Sequence, residues 1–137
     1  MSVVTERTVS VPRWMLWTGW ILSSLVAAQL LSSAGFRATN HTAAMAEIVT
    51  GYGYPESAIG LIVIAECVLV VLYLVPQTSV LAAIVMTGYL GGAVATHLRI
   101  ADTARAVIPL VEGILAWGGL YLRDRRIREL IPLRRSA

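Results

Sequence analysis

Glu66 and Glu112 each interrupt a stretch of chain that is otherwise fit for hydrocarbon. A charged side chain at bilayer depth costs at least about 2.5–3.5 kcal/mol on insertion scales, so it usually faces a bundle interior or a wet cavity and marks function. His97 joins them as a third group able to accept or relay a proton, and these three form the candidate catalytic set. Gln29, Arg37, Tyr54, Arg99 and Arg105 form the candidate substrate-binding set: three cations that could partner carboxylates, one amide and one phenol. Arg105 and Glu112 are seven residues apart and share a helix face.

Each of these residues also has a purely structural reading. Glu66 could be a carboxyl hydrogen-bonded across helices, and Glu112 could be salt-bridged to Arg105 or Arg99. His97 could be an interfacial histidine, and Gln29 an interhelical hydrogen bond. Their convergence at similar depth is what favours a shared site.

The residues that are missing narrow the chemistry. All eleven basic residues are arginine, so a lysine Schiff base is excluded. Cys67 is the single cysteine, which excludes an intrachain disulfide and a Cys-x-x-Cys redox pair. The histidines are His41, in a connection, and His97, a poor basis for haem held by two helix-borne histidines. The spacing of the carboxylates and histidine gives no metal motif, so no metal ligands are assigned. There is no phosphate-cradling glycine loop and no serine nucleophile elbow.

The elements that must position these groups follow from composition. Hydrophobic residues are 57% of 137 and charged residues 14%, with a mean hydropathy of +0.72, as expected of an all-α membrane chain. Four apolar runs, 14–34, 57–75, 79–98 and 106–122, approach or exceed the ~20 residues a helix needs to cross a bilayer. The first is too long, and too rich in Trp14, Trp17 and Trp20, for a cleaved signal h-region, and is read as a retained helix. The expected organisation is a polar arm over 1–13, one up-down four-helix domain over 14–122, and a basic tail over 123–137. Six arginines in that tail, with Arg7 and Arg13 before the first helix, place both ends in the cytoplasm by the positive-inside bias. They are better explained by topology and anionic lipid than by nucleic acid.

Between the first two spans, Thr42 to Val49 is helix-prone, with Asn40 or Thr42 as N-cap, and Gly51-Tyr52-Gly53-Tyr54-Pro55 breaks it. The expectation is a short amphipathic helix on the outer surface, covering a pocket that opens outward. Gly19, Ser23 and Ala27 in the first helix, and Gly88, Gly92 and Thr96 in the third, recur every four positions. Both stripes are expected to pack inside the bundle, with a homo-oligomer seam as the alternative.

Gly53-Tyr54-Pro55, then Ile59-Gly60 and Glu66, Val75-Pro76, and the helix end Gly92-Ala93-Val94-Ala95-Thr96-His97-Leu98-Arg99 resemble the DoxX-like family of small four-helix membrane proteins. The resemblance covers nearly all of 14–122. Arg37 stands where members often carry a basic residue, while Glu66 lies further from Gly60 than the family's Gly-x-x-Glu. The resemblance implies a multi-pass protein of the bacterial inner membrane with a link to redox chemistry.

Three functions stand at this point. The first is an accessory subunit of a quinone-linked oxidoreductase system, holding a quinone or another lipophilic ligand non-covalently, with electron carriers on a membrane or redox partner. The second is a stand-alone isomerase or cyclase using the carboxylates for acid–base catalysis. The third is a non-catalytic scaffold docking a partner helix through Gly88 and Gly92.

Overall fold

The computed structural model describes residues 11–130; most of the expected polar arm, and the tail arginines Arg134 and Arg135, lie outside the described residues. The elements run α1 (Arg13–Thr39), a short α2 (His41–Ala44) continuing into a π-helical segment (Met45–Gly51), α3 (Ser57–Leu74), α4 (Ser79–Arg99), α5 (Thr103–Arg123) and α6 (Arg125–Leu130). There is no strand among the described residues. Helices α1, α3, α4 and α5 are each long and apolar enough to cross a membrane. The 18 residues of the shortest, α3, rise about 27 Å, close to the thickness of a bilayer's hydrocarbon core. In that medium only a helix or a closed barrel satisfies its own backbone groups.

The bundle closes as a ring. α1 packs on α3 and α5, and α4 packs on the same two, so neighbours in sequence are neighbours in space. The α3–α4 turn is tight because Val75 is extended ahead of Pro76, while the Thr78 hydroxyl donates to the Leu72 carbonyl at 2.7 Å. The α4–α5 turn passes through Ala101 in the left-handed region (φ 60°), and the Asp102 carboxylate caps α5 by accepting the Arg105 amide at 3.1 Å. That cap starts α5 at Thr103, three residues before the apolar run begins. At its other end α1 continues to Thr39, beyond the expected limit at residue 34. Arg37 therefore projects from the last turn of a helix and not from a loop.

The bundle is filled unevenly. The half nearest the α3–α4 turn holds a dense core of Val26, Leu30, Leu69, Tyr73, Met86 and Leu120. There the Tyr73 hydroxyl donates to the Ala116 carbonyl at 2.7 Å and meets Ser23 Oγ at 3.1 Å, tying three helices together. Gly19 and Gly119 let α1 and α5 touch backbone to backbone: a Cβ built on Gly119 would lie 3.0 Å from the Gly19 carbonyl. Arg123 closes this end, its guanidinium stacked 4.4 Å from the Trp20 ring and 4.9 Å from the Tyr73 ring.

The opposite half is closed by a smaller cluster of Ala44, Ile48, Tyr52 and Ile59 beneath the connection between α1 and α3. Here the α4 stripe departs from expectation. Gly88 and Gly92 are exposed, and a Cβ on either would meet nothing within 4 Å, so neither makes a packing contact inside the bundle. The residues after the π-helical segment pack on this end of α4: Tyr52 lies edge-on against His97, and the Tyr54 hydroxyl bonds Thr96 Oγ1 at 2.7 Å.

Candidate functional site

The site is built around Glu66, halfway along α3 and only 3% exposed. Its carboxylate accepts two hydrogen bonds from Arg37 Nη1, at 2.9 and 3.2 Å, one from the Tyr89 hydroxyl at 2.7 Å and one from Ser33 Oγ at 3.3 Å. Ser33 and Arg37 reach it together because residues four apart share a helix face. A buried carboxylate survives in hydrocarbon only when paired and hydrogen-bonded, and α1, through Ser33 and Arg37, and α4, through Tyr89, both contribute to that here.

Arg37 also faces the connection. Its Nε and Nη2 donate to the two Glu47 oxygens, each at 3.3 Å, and the Tyr52 hydroxyl adds a bond to Glu47 Oε1 at 2.9 Å. One guanidinium thus clamps the membrane-spanning Glu66 to the segment above it. Burial opposes the Glu47 charge, but the Arg37 hydrogen bonds and charge, helped by Tyr52, outweigh it and hold the carboxyl below its ordinary range. Burial, with Glu47 as acceptor, pushes the Tyr52 hydroxyl up to about 12, so it stays a donor across the neutral range.

A pH test follows. Between Glu47's depressed folded value and the ordinary 4.5, the unfolded segment holds the proton and the folded one does not. The stabilisation is therefore complete above 4.5 and is lost as pH falls through the folded value. Amide exchange over Met45–Gly51, taken relative to the intrinsic rate at each pH, is expected to quicken on acidification. In Glu47→Gln it should already be fast at neutral pH and show no such acid step; equal protection of the two proteins at neutral pH would refute the clamp.

Beside this network lies a cavity of about 760 Å³, to which all four spans and the connection contribute. Gln29, Arg37, Glu66, His97, Arg105 and Glu112 all line it. Glu112 is half-buried and, among the described residues, has no hydrogen-bond or ion-pair partner. The expected bridges to it are absent: Arg105 pairs at 3.5 Å with Asp102, the residue that caps α5 three positions before it, and Arg99 donates from Nη2 to the Tyr52 carbonyl. Gln29 is exposed and makes no interhelical hydrogen bond among the described residues, so its structural reading is withdrawn. The His97 Nδ1 is buried without a partner. Tyr54 and Arg99 do not line this cavity. Tyr54 faces a neighbouring cleft between α3 and α4, with the Arg99 guanidinium 5.9 Å over its ring.

Chemically the two glutamates are unlike. Glu66 is saturated with donors and serves to position Arg37 and Tyr89, whereas Glu112 has an open carboxylate facing the cavity. Among the described residues no group of three or more His, Cys, Asp or Glu gathers as a metal-binding set.

Ser33, Glu47 and Tyr89 were not foreseen. For Tyr89 a signal existed: Tyr89, Ala93 and His97 fall on one face at four-residue spacing, so any pocket reached by His97 would meet Tyr89. Ser33 stands in the same relation to Arg37. Glu47 carried no comparable mark, since its partner lies across a connection whose path depends on tertiary packing.

Comparison with protein-family models matches residues 21–119 to the DoxX-like family. Comparison with curated proteins and with solved structures finds no match.

Proposed function

The chain belongs to the DoxX-like family, and from that premise we propose that it is an accessory membrane subunit of a quinone-linked oxidoreductase system. Its intramembrane cavity holds the head of a quinone or similar lipophile, and the arginine excess near Arg123 sets both ends in the cytoplasm of a bacterial inner membrane, with the cavity opening outward. The observation that carries this reading is the open carboxylate of Glu112 in a cavity beside the Arg37–Glu66 network. A carboxylate left unpartnered at this depth is costly unless a ligand or proton answers it.

The residues present fit such a head group. Glu112 is a hydrogen-bonding position that no residue of the chain answers, and Arg37, Tyr89 and His97 line the same cavity. A bound quinone would supply redox chemistry. The chain orients the head and accepts or passes a proton at the Glu112 carboxylate, with His97 at the access end. Electron carriers reside on a partner protein.

A second reading has its own support. The two cavity carboxylates sit in different environments, one paired and one open, the arrangement an acid–base isomerase or cyclase needs.

The deciding experiment is extraction of lipids and quinones that co-purify with the wild type, with Glu66→Gln and with Glu112→Gln. A quinone or other defined lipophile is expected with the wild type and lost from Glu112→Gln, which keeps the fold because Glu112 has no partner to lose. The same lipid profile from all three proteins would refute the proposal.

A further inference from the structure

A second cavity, of about 470 Å³, lies between α3 and α4. It shares Arg37, Tyr52, Tyr89, Ala93 and His97 with the polar cavity, so the two have a common wall. Apart from Tyr54 and Thr96, which bond each other, the rest of its lining is apolar, with Leu61, Ile62 and Ala65 from α3 and Gly88 and Gly92 from α4 at its centre. Toward the membrane surface it is strapped shut by the Tyr54–Thr96 bond and by Arg99 on the Tyr52 carbonyl. Its free side is lateral. Leu61 is 67% exposed, and the space over Gly88 and Gly92 is empty to 4 Å. Small residues in membrane helices ordinarily permit close helix approach, and these two permit none. They keep a slot open to the acyl-chain region.

We infer that this slot is the seat of the ligand's hydrocarbon chain, and that the ligand class is a hydroxyl-bearing head group on a single chain, head beside Glu112 and His97, chain leaving the bundle between α3 and α4. The inference rests on the reading of the polar cavity as a head-group site and adds the route and the shape of the molecule. The polarity of the two spaces carries it. Beyond the shared wall, the charged side chains Glu47, Glu66, Arg105 and Glu112 all lie on the polar-cavity side, and the slot adds none, only the bonded Tyr54–Thr96 pair, aliphatic side chains and bare glycine backbone. The polar cavity's lining from α1 and α5 sets the exposed polar Gln29 and Ser32 beside the exposed apolar Phe36 and Ile108, a mixed edge and the competing route for the chain. The open acceptor that the cavity offers is the Glu112 carboxylate in its ionised form, so the head it takes is a donor, the reduced, hydroxyl-bearing form of the proposed quinone.

The test uses decylhydroquinone with a diazirine at the chain end, and methylhydroquinone as the chainless competitor, on the full chain in nanodiscs. Photolabelling is expected on the peptides holding Leu61–Ala65 and Gly88–Gly92. Gly88→Leu/Gly92→Leu should weaken decylhydroquinone binding at least about tenfold, equivalent to about 1.4 kcal/mol, and leave methylhydroquinone binding unchanged. A Cβ at either position meets no atom within 4 Å, so the added side chains enter the slot and not a packed helix seam. Labelling on Phe36 or Ile108, or undiminished chain binding in the double variant, would overturn the lateral route while leaving the head-group site standing. Failure of both hydroquinones to bind the wild type would overturn the head-group reading and this inference with it.

Discussion

Replacing Arg37 with alanine is expected to remove about 3–5 kcal/mol of stability, the largest loss from any single polar substitution in this chain. The reason is what the change leaves behind. Glu66, 3% exposed, keeps hydrogen bonds from Tyr89 and Ser33 but loses its only cation, and Glu47 loses the same partner at once. Glu66→Gln should cost less, because Arg37 still has Glu47 and a neutral amide at position 66 can still accept from Tyr89. Arg37→Lys should fall between, since one ammonium cannot reproduce a planar fork reaching two carboxylates. Arg37→Leu/Glu66→Leu should recover the part of the loss that comes from the buried Glu66 charge and leave the part that comes from Glu47. Denaturation of the detergent-solubilised protein would rank the four. If Arg37→Ala lay within about 1 kcal/mol of the wild type, the pair would contribute little to the fold.

How far this network could be read from sequence depends on the range of each signal. The four spans are legible because hydropathy is local and the bilayer fixes the length of a crossing helix. That Glu66, Glu112, His97 and Gln29 would meet at one depth was also legible, by counting from helix ends, and the cavity lined by all four matches that count. Partner choice was not. Arg37 lies beyond the apolar run that ends at residue 34, and only the extra turns of α1 to Thr39 carry it to Glu66. Arg105 was a plausible partner for Glu112 by periodicity, but Asp102, the cap of α5, stands closer. The two small-residue stripes look alike in sequence, yet Gly19 is crowded and Gly88 and Gly92 are bare. A four-residue spacing shows that a helix has a smooth face; it does not show what lies opposite.

That contrast sets the second large prediction. Gly119→Ala should destabilise the bundle by about 1–3 kcal/mol, the range for overpacking a filled site. Its Cβ would stand 2.7 Å from Ser23 Oγ, 3.0 Å from the Gly19 carbonyl and 3.1 Å from the Ser23 backbone nitrogen. The Ser23 hydroxyl could swing away at the loss of its bonds to Gly19 and Tyr73, but the two backbone atoms move only if α1 and α5 separate. Gly19→Ala meets the same obstacle from the other side, with the Gly119 carbonyl at 2.8 Å and the Arg123 nitrogen at 2.9 Å. Pairing Gly119→Ala with Ser23→Ala relieves only the side-chain overlap and should restore little. Gly88→Ala and Gly92→Ala make the same chemical change where nothing is in the way, so helix propensity acts alone and favours alanine by up to about 0.8–1.0 kcal/mol. Opposite signs for the two glycine pairs, measured by unfolding in one detergent, would separate helix contact from helix propensity. A destabilising Gly88→Ala would mean that the face of α4 drawn here as open is packed against something, whether α3 or a second copy of the chain.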